Sequence, residues 1–192
     1  MQSRSRAANL LLVVVASCSL QERRTEPPWL PDQWRTEERR PGEAESRLEP
    51  FAGNYDVTVT LWPDPSAEPV VIKGTSEQTM ILGGWILEVR DEYPELSLSF
   101  IGLHFYDPIK SQYLNVGMSS KMGWLGGWQG QFDEDGRVLT YRETMQDSLS
   151  GETIHRRGVA RLNENGYVYE NFSASVGHAE RITRRTVYVR RP

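Results

Sequence analysis

Glu143, Arg156 and Glu170 are charged residues on alternating faces that otherwise read as less polar, and Tyr141 and Tyr188 belong to faces that run with them. Side chains alternate across a strand, so Leu139, Tyr141, Glu143 and Met145 share one face while Val138, Thr140, Arg142 and Thr144 share the other. The first face is the more apolar and should turn inward, taking Glu143 with it. In the next segment the less polar face is Ile154, Arg156, Gly158, Ala160 and Leu162. A hairpin centred near Leu149 would set Arg156 beside Tyr141 and diagonal to Glu143. Val168, Glu170 and Phe172 form one face of the following segment, and Ile182, Arg184, Thr186, Tyr188 and Arg190 one face of the last. An interior carrying Glu143, Arg156, Glu170 and Tyr188 is a polar-tipped cavity suited to an amphipathic or anionic ligand. The same charges could instead satisfy one another as a structural pair filling that space.

Other chemistry is thinly represented. No Gly-x-Ser-x-Gly elbow and no phosphate-cradling glycine motif occurs, and Asp133-Glu134-Asp135-Gly136 reads as a hairpin turn rather than a calcium loop. His104, His155 and His178 lie on separate segments without ligand spacing, so no metal and no cofactor is expected. His178, in the loop before the last strand, is the one candidate for an axial haem ligand. The stretch Lys121 to Trp128 places Trp124 and Trp128 on a glycine-flanked hairpin, where they could gate a cavity or plug a barrel end.

Cys18 is the only cysteine, which excludes an internal disulfide. It follows two arginines, Arg4 and Arg6, and an apolar run from Ala7 to Ala16. That layout is a signal peptide, and a run of roughly 10 residues is about half of what a membrane-spanning helix needs. Val15-Ala16-Ser17-Cys18 resembles the lipobox of bacterial lipoproteins, which implies cleavage after residue 17 and lipid on Cys18. An ordinary secreted protein with a cysteine beside its cleavage site is the competing reading. Ser19 in place of Asp points to the outer membrane, so the expected address is the bacterial cell envelope, lipid-anchored and facing the periplasm. Loss of Arg4 and Arg6 leaves 20 basic side chains against 26 acidic, a balance of −6. Nucleic acid is a poor partner for such a surface.

Residues 18–47 are charged and Pro-interrupted, with few aliphatic side chains, and read as a flexible tether able to reach about 30 Å. From Leu48 onward the pattern becomes alternating apolar and polar runs separated by turn signals such as Pro63-Asp64-Pro65, Gly83-Gly84 and Glu134-Asp135-Gly136. These predict strands over 55–62, 70–82, 85–91, 96–107, 112–119, 128–133, 137–145, 152–162, 166–176 and 181–189. About ten strands in meander order predict an all-β fold, a single antiparallel up-and-down barrel over residues 48–192, closed so that no edge is exposed and wide enough for a cavity.

Leu48-Glu49-Pro50-Phe51-Ala52-Gly53-Asn54-Tyr55-Asp56, then Leu61-Trp62-Pro63-Asp64-Pro65, Ile81-Leu82-Gly83-Gly84, Tyr106-Asp107, Phe132-Asp133-Glu134-Asp135-Gly136-Arg137 and Tyr188-Val189-Arg190 run through nearly the whole domain. In that order they resemble the signatures of a bacterial family catalogued as domain of unknown function 1579. The resemblance implies a calycin fold, the class of lipocalin-like and fatty-acid-binder-like barrels, and Gly53-Asn54-Tyr55 is similar to the lipocalin Gly-x-Trp with Tyr in the Trp position. Three functions follow as expectations: a binder of a small amphipathic ligand, a solid-barrel structural or interaction protein of the envelope, and a small-barrel enzyme or haem binder. A continuous interior cavity discriminates the first from the second.

Overall fold

The structure is a computed structural model that describes residues 40–192 apart from 65, 122–125 and 148–149. Cys18, the signal peptide, most of the tether and Trp124 lie outside the described residues. Ten strands form one closed barrel: β1 Gly53–Leu61, β2 Val70–Ile81, β3 Ile86–Tyr93, β4 Leu98–Asp107, β5 Gln112–Ser119, β6 Gly127–Phe132, β7 Val138–Gln146, β8 Thr153–Asn163, β9 Gly166–Ser175 and β10 Arg181–Arg190. Every strand pairs antiparallel with the next, and β10 closes the ring on β1 from Tyr55↔Arg190 to Leu61↔Arg184. Strand existence and order agree with the sequence reading to within two or three residues at each end.

Alternation decides which face turns in. On β1, Tyr55, Val57 and Val59 are buried while Asp56, Thr58 and Thr60 face out. On β3 the buried set is Leu87, Val89, Asp91 and Tyr93, an apolar stripe interrupted by one acid. The outer face is laced with ion pairs such as Arg157–Glu180 and Arg191–Asp56, both 2.6 Å, each worth less than about 1 kcal/mol in solvent. Turn chemistry fixes the register. Gly136, at φ +67, takes the left-handed position of the β6–β7 turn, and Asp133 accepts hydrogen bonds from the backbone N–H of Arg137 and Val138.

The two ends of the barrel differ. Residues 40–52, whose first eight the sequence reading placed in the tether, pack against one end. A helical turn, α1 (Glu43–Ser46), leads into a 3₁₀ turn over Glu49–Phe51, and both Leu48 and Phe51 are buried. Phe51 meets Tyr167 edge-on at 5.0 Å between ring centroids, and Tyr113 donates a hydrogen bond to the carbonyl of Ala44. Arg190 donates to the carbonyls of Pro50 and Ala52 and stacks over the Tyr55 ring, clasping the last strand to this plug. The opposite end carries the connections after β1, β3, β5, β7 and β9.

Two sequence readings change here. Glu170 faces outward, bonded to Arg161 at 2.8 Å, because the inner face of β9 is Tyr167, Tyr169 and Asn171. Glu143 stands directly opposite Arg156, and Tyr141 opposite Gly158, so the β7–β8 hairpin is displaced by two residues with its inward face unchanged.

Candidate functional site: the barrel cavity

The barrel encloses a cavity of about 820 Å³. Leu48 and Phe51 of the plug form its floor with Tyr167, and Leu87, Val89, Leu139 and Ala160 form its apolar wall. Trp62, Lys121, Trp128, Arg156, Phe172 and Arg181 surround it toward the other end. That volume exists partly because of where side chains are missing. Gly74, Gly117, Gly130 and Gly158 lie beneath the rings of Tyr93, Phe100, Tyr141 and Tyr169, and a Cβ at any of the four would run into the ring above it. The rings therefore lie along the wall.

Three polar clusters interrupt the apolar lining. The first centres on Asp91, 4 % exposed. Its Oδ2 accepts from the hydroxyls of Tyr93 at 3.2 Å and Tyr188 at 3.3 Å. Gln78 donates to Ser76 at 3.0 Å and to Tyr167 at 2.6 Å, and the Tyr167 ring stacks on Tyr188 at 4.2 Å. Burial pushes the Asp91 carboxyl above the ordinary range, opposed by the neighbouring hydroxyls of Ser76 and Tyr93 and by the charge of Arg184. Burial likewise raises Tyr93, Tyr167 and Tyr188, with the Asp91 charge adding to it. These phenols stay protonated, and those of Tyr93 and Tyr188 donate to Asp91.

The second cluster joins β4, β5 and β7. His104 Nδ1 lies 2.8 Å from the Tyr141 hydroxyl and Nε2 lies 2.7 Å from Asn115 Nδ2. A neutral imidazole protonated at Nδ1 satisfies both, donating to Tyr141 and accepting from Asn115. Burial holds this histidine down at about 4. The Tyr141 hydroxyl, accepting from His104, keeps its own proton for the cavity. In the third cluster the Arg184 guanidinium lies over the Tyr169 ring at 5.6 Å, and Asn171 donates weakly to the Tyr169 hydroxyl at 3.4 Å. A β-bulge between Ile182 and Arg184 shifts the face of β10, which is why Arg181, Thr183 and Arg184 all line the cavity.

Of the residues picked from sequence, Tyr141, Arg156, Tyr188 and Trp128 line the cavity. Glu143 is half-buried behind Gly126, 3.6 Å from Arg156, its carboxyl raised by desolvation against the pull of Arg156 and the Gly127 N–H. Glu170 is outside, and Trp124 lies outside the described residues. His178 is exposed in the β9–β10 turn and does not line the cavity. Asp91, Gln78, His104, Asn115 and Arg184 add to the polar lining, and sequence reasoning missed them as site residues. The available signal was Asp91 itself, an acid on the apolar face of Leu87, Val89 and Tyr93. Trp62 borders the cavity at the same end as Gly126 and Trp128 rather than across from them.

The chain belongs to the family described as protein of unknown function DUF1579, whose model matches residues 40–190. No match is found among curated proteins.

Proposed function

We propose that this barrel binds a small amphipathic molecule, held at a membrane surface of the bacterial envelope through lipid on Cys18. The cavity carries the reading: about 820 Å³ of space within one fold, apolar along most of its wall and polar at three fixed places, falls in the size range of small-molecule sites. A barrel serving only as a scaffold would fill that space with side chains, and the glycines beneath the rings do the reverse. Catalysis has less support, since the cavity histidine is held neutral with both nitrogens engaged.

Trp62 and Trp128 border the cavity and report its occupancy. Titrating delipidated protein with single-chain amphiphiles should change tryptophan emission saturably, at one molecule per barrel, and raise the melting temperature. Trp128→Phe should reduce the emission change while leaving the melting shift in place. No saturable response and no melting shift across alcohols, acids, amines and zwitterions would turn the assignment to a structural barrel.

A further inference from the structure

The unmatched polar groups of the cavity define the head of the ligand, an inference that rests on the binding role proposed above. Asp91 on β3 and Arg184 on β10 both line the cavity, yet among the described residues neither has an ion-pair partner. Arg184 acts on Asp91 only through its field. Each also keeps a buried polar atom without a hydrogen-bond partner: Asp91 Oδ1 lacks a donor, and Arg184 Nε lacks an acceptor. Gln78 Oε1, in the Asp91 cluster, and Asn171 Oδ1, beside Tyr169 in the Arg184 cluster, lack donors as well. Buried polar groups are ordinarily matched, so Asp91 and Gln78 ask for a molecule that brings donors to their side, and Arg184 for one that brings it an acceptor.

We infer that the ligand is an amphipathic zwitterion whose protonated amine is held by Asp91 and Gln78 and whose anionic group is held by Arg184. The alternatives each leave something unmatched. A fatty acid would answer Arg184 but bring no donor to Asp91 Oδ1 or Gln78 Oε1. A simple alkylamine would answer those two acceptors, with the electron-rich tyrosine rings about Asp91 favouring its charge, but would leave Arg184 without an acceptor and add a like charge to the cavity. A molecule carrying both groups meets both needs and stays neutral overall, which matters where the walls are apolar. Its chain would extend along Leu98, Phe100 and Trp128, which line the same cavity. The remaining charges, Arg156 paired with Glu143, together with Arg181 and Lys121, lie toward the end away from the plug.

The test holds the chain constant and varies the head. Calorimetric titration of the unsubstituted barrel with N-dodecylglycine, dodecylamine, dodecanoate and dodecanol should show the zwitterion binding at least tenfold tighter than the other three. Asp91→Asn should erase its advantage over dodecanoate, and Arg184→Gln its advantage over dodecylamine. Equal binding of zwitterion and fatty acid overturns the inference, as does an advantage that survives either substitution. If a variant does not fold, the ranking in the unsubstituted protein decides alone. Binding of all four without preference overturns the zwitterion while leaving the amphiphile-binding reading intact, whereas binding of none overturns both.

Discussion

His104 is a residue whose removal from water pH can read. It is held neutral at about 4, against about 6.5 for a histidine in an unfolded chain. The unfolded chain therefore binds the extra proton first, so this residue's contribution is fully present above pH 6.5 and is lost as pH falls from there to about 4. The difference amounts to up to about 3 kcal/mol. Denaturant titrations across that window should show the midpoint falling with pH, and His104→Gln, which can still reach Tyr141 and Asn115, should flatten the slope. An unchanged slope in the variant would place the titration elsewhere. At this scale the sequence was only partly legible. Tyr141, Arg156 and Tyr188 could be placed inside because their neighbours alternate cleanly. His104 could not, because β4 reads Leu98-Ser99-Phe100-Ile101-Gly102-Leu103-His104-Phe105-Tyr106, with large apolar side chains on both faces.

Among the elements, β9 shows why a face can be misread while its strand is not. Tyr167 and Tyr169 alternate with Val168, Glu170 and Phe172, so both faces carry apolar bulk, and only pairing with β8 and β10 sends the tyrosines in and Glu170 out to Arg161. The plug is the second element that local patterning hid. Its charged sequence reads as tether, and only Leu48 and Phe51, one turn apart, reveal that it returns to the barrel. Phe51 touches both Tyr167 and Phe132 and lines the cavity floor, so Phe51→Ala removes a buried ring at the junction of plug and barrel. The expected cost is about 3–5 kcal/mol, measured by chemical denaturation, with the plug rather than the distant end losing amide-exchange protection. A loss below about 1 kcal/mol would mean that the plug contributes little to the fold.

For the whole molecule, barrel and address are separable. Strand order and closure were legible because ten alternating segments joined by short turns leave few arrangements without an exposed edge. The proposed address rests on Cys18 at the end of its apolar run. Cys18→Ala, expressed in a bacterial host, should move the protein from the membrane pellet to the soluble fraction with its barrel intact by circular dichroism. A variant that still pellets, with the same mature N-terminus, would end the lipid-anchor assignment. The four glycines beneath Tyr93, Phe100, Tyr141 and Tyr169 have a consequence for how such a protein diverges. On the proposed reading, capacity and recognition are written in different places: the polar groups of β2, β3 and β10 would select a head, whereas the missing side chains of β2, β5, β6 and β8 would set how much body can accompany it. Exchanging Gly117 for a larger residue would push the Phe100 ring off the wall and, on the proposed reading, shorten the acceptable guest without touching Asp91, Gln78 or Arg184, so lineages could drift in ligand length while keeping ligand chemistry fixed.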